Sequence, residues 1–481
     1  MSRRSKGFPG AAAAGALLGL CLMAASAGAQ QGERPVMTSR DQGDTVKINV
    51  SGNVVLDYVW RSKEVTTFTN SVAGGGENEN TFEGYAAVRV DAELSSKVSA
   101  VVEIGTKRVD GSVINEWGNP TAEPIQLREA GVKVNEFLTP ALSFRLGIAN
   151  WAFDVRGRGS AFALDPRHSQ SITRNVGLTP TADGPATLAV RAGLPEELEP
   201  VGAVFTYVEP TAQQFTLNVV LLPATIEGGP SGDDEALYAV DFWYNLDGVG
   251  KGSRLGVVLA RHDHAASDGF YTVGAGAVLK GMSEGLELYA EVYTQFGTAN
   301  RVGGEDIDAG GFGGQVGLEY RLGGDLKPWV GLNLTLLSGD DDTDPTDDEE
   351  SRFLSYENVN DLAILEDMYL GFDWDTNYIA IKVSGGITLS VAGGKDNLEL
   401  SAILGFCRTR EDVEFASGGE DALGNEIDVR ARWILNKQAA ITALFAFLTG
   451  SDVLEESMGG AANPDSEDNA MLYTLGVDLK F

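Results

Sequence analysis

The sequence predicts an all-β protein, a transmembrane antiparallel up-and-down β-barrel of about eighteen strands, with twenty as the alternative, preceded by a signal peptide. Three observations carry that expectation. Long segments alternate apolar and polar residues with period two, the links between them alternate short and long, and the chain ends on an aromatic residue in register with the last apolar face. Beyond the N-terminal leader no run reaches the eighteen apolar residues of a membrane helix, so strands are the elements left to cross a bilayer.

The chain opens on an export signal. Arg3, Arg4 and Lys6 form a basic head, Ala11 to Ala25 is apolar, and Ala27-Gly28-Ala29 reads as a small-residue cleavage site. Leu20 stands where a lipoprotein signal needs a small residue, which argues against lipidation of Cys21. The expected organisation is a signal peptide over 1–29, a short N-terminal lead over 30–44 and a barrel over 45–481. Export without a membrane helix, followed by long strands, predicts the outer membrane of a Gram-negative-type bacterium.

The first strand places Val46, Ile48, Val50, Gly52, Val54 and Leu56 on one face and Lys47, Asn49, Ser51, Asn53 and Asp57 on the other. Val88, Val90 and Ala92 alternate in the same way with Arg89, Asp91 and Glu93, and Leu288, Ala290 and Val292 with Glu287, Tyr289 and Glu291. Runs of about ten residues match a tilted strand crossing hydrocarbon, whereas soluble strands are commonly half as long. Short links fall at 95–96, 138–140, 281–284, 323–325, 393–397 and 436–437. Long polar segments are expected at 62–81, 108–124, 152–185, 299–310, 339–375, 411–423 and 450–468. One short end and one long end is the asymmetry of an outer-membrane barrel. Nineteen candidate strands can be counted, and the up-down parity fails between about 152 and 235, so one strand there is missed or invented. The final strand sets Tyr473, Leu475, Val477, Leu479 and Phe481 on one face. Its terminal Phe481 resembles the assembly signal of bacterial outer-membrane proteins and implies the barrel assembly machinery as a partner.

Composition removes other classes. Hydrophobic content of 43% suits a folded chain, and Cys21 and Cys407 cannot form a disulfide framework once the leader is removed. Acidic residues number 69 against 36 basic ones, a net charge of −33 that loss of the three leader cations takes to −36. Such a polyanion is no partner for nucleic acid. The excess is concentrated in 339–367, 411–423 and 450–468, which together carry 22 surplus negative charges.

The stretch Lys327-Pro328-Trp329-Val330-Gly331-Leu332, the segment Ser338-Gly339-Asp340-Asp341-Asp342, and Asp344-Pro345-Thr346-Asp347 with Phe353 beyond resemble the alginate export family of outer-membrane barrels. Gly424-Asn425-Glu426-Ile427-Asp428 opening a strand, a strand from Gln438 to Gly450 and a final strand closing on Phe481 follow the family's order. The resemblance covers 325–481. It implies an eighteen-stranded monomeric barrel that passes a polysaccharide outward, and it leaves the cargo open.

Within such a barrel the pore-lining candidates are Arg89, Arg128, Arg145, Arg156, Arg158, Arg191, Arg321, Arg430 and Arg432, opposed by Glu287, Glu291 and Glu319 among other carboxylates. Residues 154–168 form the one concentrated basic loop, which either folds inward as a constriction or stays on the surface. Asp340, Asp342 and Asp344 at spacing two could ligate Ca2+ in an outer loop, against the plainer reading of a solvated acidic loop. Catalysis has little to stand on. The chain has three histidines, His168, His262 and His264, and no nucleophile or third metal ligand is identifiable beside them. The expected function is therefore a non-enzymatic, porin-like conduit for polysaccharide or small polar solutes, bounded by outer-membrane lipid. The rival is a structural or adhesive barrel with a closed lumen and cation-binding outer loops.

Overall fold

The computed structural model describes residues 37–41, 44–62, 78–105, 126–148, 151, 153, 155–156, 179–181, 184–187, 200–225, 236–263, 269–302, 305–339, 349–353, 361–366, 374, 376–391, 396–415, 418–457 and 469–481. Period-two alternation becomes eighteen wall strands, hydrogen-bonded in sequence order. They are β1 (Asp44–Arg61), β2 (Glu79–Glu93), β3 (Val98–Gly105), β4 (Gln126–Val134), β5 (Leu142–Ile148), β6 (Pro200–Val208), β7 (Phe215–Thr225), β8 (Ala236–Asn245) and β9 (Arg254–Asp263). The second half comprises β10 (Gly269–Lys280), β11 (Leu286–Val302), β12 (Phe312–Arg321), β13 (Trp329–Leu337), β14 (Tyr378–Val391), β15 (Asp396–Phe415), β16 (Gly418–Asn436), β17 (Ala439–Thr449) and β18 (Ala470–Lys480). Each is antiparallel to the next, and β18 pairs back onto β1 from Asn53 opposite Lys480 to Arg61 opposite Leu472. The wall is closed.

The parity gap between 152 and 235 is filled by β6 and β7, joined by the turn at 209–214. A separate two-stranded hairpin, Thr179–Thr181 with Gly184–Thr187, stands outside the wall's ladder. Two expected loops turn out to be strand. β11 runs on to Val302 and pairs with Glu305–Ala309, and β15 and β16 extend into 411–423, where Phe415 pairs with Gly418. Polar alternation at a barrel rim looks like loop in the sequence, because water can cover both faces of a hairpin that rises above the lipid. For the same reason Gly424 does not open a strand. It lies inside β16 at the bulge where Cys407 faces Gly424 and Arg408 faces Ala422.

Short links occupy one end, which is periplasmic in bacterial barrels. Local side chains close them. Ser95 Oγ accepts the N–H groups of Lys97 and Val98, Asn436 Oδ1 accepts that of Gln438, and the Glu209 carboxylate accepts those of Thr211 and Ala212. These bonds hold the Glu209 carboxyl below the ordinary glutamate range.

Outward positions carry Val50, Leu56, Val292, Val316, Val330 and Ile381, 39–59% exposed, while their neighbours Glu291, Gln315 and Lys382 are buried inside. Each such apolar side chain gives up about 1.5–3 kcal/mol if left in water, so this surface is stable in hydrocarbon. Near the periplasmic end the outer face turns aromatic. Phe144 and Phe205 lie 5.9 Å apart, Tyr207 and Phe215 5.9 Å, and Phe215 and Phe242 5.6 Å, as in the girdle of a membrane interface. The buried apolar core is inside the barrel: Val59, Leu444, Leu448 and Leu472 on the inner wall join Phe353, Leu362, Leu365, Trp374 and Val453 from inward-folded connections.

The seam carries the C-terminal residue. Gly52 and Phe481 exchange two backbone hydrogen bonds of 3.0 Å, and the Phe481 ring covers Gly52. A Cβ at Gly52 would stand 2.5 Å from Phe481 Cζ and 2.5 Å from the Ala87 carbonyl oxygen. Below this point, where β18 has ended, Met37–Asp41 pairs with the start of β1. Gly52→Val is expected to destabilise closure through overpacking of about 1–3 kcal/mol, and deletion of Phe481 to remove the last pairing. Both should deplete the compact band of unheated detergent gels, and full recovery of that band in both variants would contradict the seam as described.

Candidate functional site: the lumen and two inward-folded segments

The first segment lies between β5 and β6 and runs across the inner wall from β8 towards β12. Trp151 Nε1 donates to Asp241 Oδ2 at 2.7 Å, Asn218 Nδ2 donates to Asp241 Oδ1 at 2.8 Å, and Thr206 Oγ1 donates to Asn218 Oδ1 at 2.7 Å. This relay spans β6, β7 and β8. Phe153 stacks on Trp243 at 4.5 Å and meets Tyr293 edge-on at 6.3 Å. Arg254 lies 4.4 Å from the Trp243 ring and donates through Nε to the Val155 carbonyl at 3.1 Å. Val155 needs Gly276 beneath it, since a Cβ there would come within 2.4 Å of Val155 Cγ2. Arg156 then covers the Tyr289 ring at 4.1 Å and pairs with Glu287 at 3.3 Å and Glu319 at 3.1 Å.

The second segment, 361–366, lies between β13 and β14 and packs against β14, β15 and β16. Its N–H groups have carboxylates as partners. Those of Asp361 and Leu362 donate to Glu366 Oε2 at 3.0 Å each, that of Ala363 to Asp428 Oδ2 at 2.9 Å, and those of Ile364 and Leu365 to Glu426 at 2.7 and 2.9 Å. Lys382 Nζ bridges Asp361 at 2.9 Å and Glu366 at 3.0 Å, Tyr378 Oη donates to Glu366 at 2.9 Å, and Arg430 donates to the Asp361 carbonyl at 3.0 Å. Burial pushes the Glu366 carboxyl above the ordinary glutamate range; Lys382 opposes that shift and the Asp361 charge adds to it. Asp361 remains half exposed, within electrostatic reach of Arg156 on the first segment.

Other cations of the inner wall are also paired. Arg89 contacts Asp91 at 3.1 Å, Glu103 at 3.2 Å and Glu129, and Arg145 pairs with Glu129 as well. At the periplasmic end Arg321 meets Glu319 at 2.6 Å, Lys280 meets Glu287 at 3.3 Å, and Arg432 lies between Glu399 at 3.8 Å and Asp478 at 3.7 Å. Glu291 accepts from Tyr293 Oη at 2.7 Å and from Gln315. Of the candidates read from the sequence, Arg89, Arg145, Arg156, Arg321, Arg430, Arg432, Glu287, Glu291 and Glu319 therefore lie on the inner face or against it. Arg128 sits at the bulge between β3 and β4, and its side chain, like Arg158, Arg191, Asp340, Asp342, Asp344, His168 and His264, lies outside the described residues. His262 packs on the Phe270 ring at 5.5 Å. The expectation that 339–375 is one long polar loop of the outer end is corrected at Asp361 and Glu366, which Lys382 holds against the inner wall. Sequence reading did not single out Trp151, Glu129, Asp241, Glu366, Lys382 or Glu426. Inward parity could have found all but Trp151 and Glu366, whose segments have no period.

A closed eighteen-stranded wall with an apolar outside and an ion-paired inside defines an outer-membrane β-barrel. The fold is shared with OccAB1 of Acinetobacter baumannii, at a TM-score of 0.51 and 12% identity over 94% of this chain and 99% of that one. OccK8 (OprE) and OccK5 (OpdH) of Pseudomonas aeruginosa each superpose at 0.50, with 12% and 13% identity over 90% of this chain and 98% of theirs. No family model and no curated protein matches the sequence, so the alginate export resemblance stands on its residues alone.

Asp241→Ala removes the acceptor of both Trp151 and Asn218 and is expected to cost about 1–3 kcal/mol. Gly276→Leu should displace Val155. Both variants should unfold at lower urea than the unsubstituted barrel in liposomes, and unchanged midpoints would mean that the first segment is not anchored to the wall.

Proposed function

We propose that the barrel is a passive outer-membrane channel for small polar solutes, inserted as a monomer in lipid and working without chemistry. The observation that carries this reading is the ion-paired polar inner wall of an eighteen-stranded barrel, a size at which porins keep an aqueous lumen. The two inward segments would narrow that lumen, as constriction loops do. Delivery to the membrane would use the barrel assembly machinery acting on the strand that carries Tyr473 and Phe481.

Polysaccharide export is the finer reading, and the residues of 325–481 that resemble the alginate export family favour it. A polyuronate in a low-dielectric tube needs compensating positive charge along its path. Here Arg89, Arg145 and Arg156 already face carboxylates, and the acidic ends of β15 and β16 lie opposite the end with short links, with Asp340, Asp342 and Asp344 as candidate Ca2+ ligands. Small solutes therefore fit better than a polyanion. The structural or adhesive alternative draws on the apolar turn Leu362–Leu365 packed inside the barrel.

Single-channel recording in planar bilayers tests the proposal. Discrete conductance is expected, with weak selectivity or a cation preference at low salt that fades as the Debye length falls from about 30 Å at 0.01 M to about 10 Å at 0.1 M. Correctly inserted but silent protein would remove the channel reading. Strong anion selectivity persisting at high salt would point to an unneutralised arginine constriction and to export of a polyanion.

A further inference from the structure

The segment 361–366 presents an unusual problem of burial. Leu362, Ala363, Ile364 and Leu365 are at most 1% exposed, packed against an inner wall that buries charge beside its apolar patches, with Lys382, Glu426 and Asp428 no more than 2% exposed. A turn packed there brings backbone N–H groups that no strand ladder satisfies, and a buried N–H without an acceptor is strongly disfavoured. The five N–H groups from Asp361 to Leu365 all find carboxylate oxygens. Glu366 serves the two farthest from it in sequence, Asp361 and Leu362, while Glu426 and Asp428 reach across from β16. Glu426 uses one oxygen for Ile364 and the other for Leu365, so its role is positional. Lys382 grips the opposite side of the turn through Asp361 and Glu366, and Leu362 lies against the backbone of Gly405.

We propose that Glu426 and Asp428 on β16, together with Lys382 on β14, form a latch that holds the turn 361–366 against the inner wall and thereby fixes the free width of the lumen. The consequence for width rests on the channel reading; the holding of the turn does not. The latch has two jaws. Carboxylates of β16 take the backbone of residues 363–365, and the ammonium of β14 takes the side chains of residues 361 and 366. Between them Asp361 is left half exposed towards Arg156 of the first segment.

Cys407 gives a readout of the turn that does not depend on conductance. Its sulfur lies 3.2 Å from Tyr378 Oη and shares the space in front of Gly405 with Leu362. In a Cys21→Ser background it is the one thiol of the chain. Glu426→Ala leaves two N–H groups without acceptors, and Lys382→Met releases the other jaw. In refolded barrels the rate at which an impermeant methanethiosulfonate modifies Cys407 is expected to rise about ten-fold in either variant, because reaction of a covered group tracks the population of its open form. Conductance should rise about 1.5-fold as the turn leaves the wall and the cross-section becomes variable. Glu426→Gln, which keeps one acceptor oxygen, should fall between Glu426→Ala and the unsubstituted protein.

Unchanged thiol reactivity in both variants, with the heat-modifiable band intact, would overturn the latch. Faster modification with unaltered conductance in a conducting barrel would overturn its control of width. If the unsubstituted barrel is silent but Cys407 is exposed by either substitution, the latch stands and the channel reading falls. Should Glu426→Ala fail to fold, Lys382→Met decides by the same two measurements.

Discussion

Hydrocarbon offers no partner to a backbone N–H or C=O, and each group left unpaired there costs several kcal/mol. That constraint makes the β1–β18 pairing the interaction on which the rest depends. The reciprocal bonds between Gly52 and Phe481 complete the ladder that begins at Arg61 and Leu472, residues more than four hundred positions apart in sequence. Without them both terminal strands would present an edge to lipid. The seam is also where the chain's ends are organised, because the ring of Phe481 needs the bare backbone of Gly52 and Met37–Asp41 takes over the ladder below it.

Closure separates two environments with different demands. Lipid asks only that the outer face be apolar, which Val292, Val316 and Ile381 meet with little specificity. The inner face must settle charges at close quarters, and it does so by pairing nearly every cation described there with carboxylates two or more residues away: Arg89 with Asp91, Glu103 and Glu129, Arg156 with Glu287 and Glu319, Lys382 with Asp361 and Glu366. A lumen so arranged is polar without being strongly charged, although the chain as a whole carries −33.

The two inward segments obey the same rule by different means. Trp151, Phe153, Val155 and Arg156 are held chiefly by rings and hydrogen bonds to β8, β9, β11 and β12 and by the packing of Val155 over Gly276 of β10, with Trp151 on Asp241 and Arg156 on Tyr289 at the two ends. Residues 361–366 are held by carboxylates that replace a missing strand partner. Each brings apolar side chains into the barrel, where they join inner-wall residues such as Val59, Leu444 and Leu472 in the buried core.

The alternation of Val88 with Arg89, or of Ile427 with Asp428, is a local property of the chain, and it determined strand identity, inner and outer faces, and the end of the barrel at Phe481. Boundaries at the rim were less legible, because 299–310 and 411–423 are polar on both faces whether they loop or pair. Which inner residues meet could not be read at all. Trp151 reaches Asp241 across 90 positions, Arg156 reaches Glu319 across 163, and Ala363 reaches Asp428 across 65. Those meetings depend on register added strand by strand around a closed wall and on aperiodic connections that turn inward. The sequence by itself determined a charged interior and an apolar exterior, since side-chain direction in a strand follows from its period; only the tertiary structure decided that the interior charges are paired and the lumen partly filled, since that requires the circle to be closed.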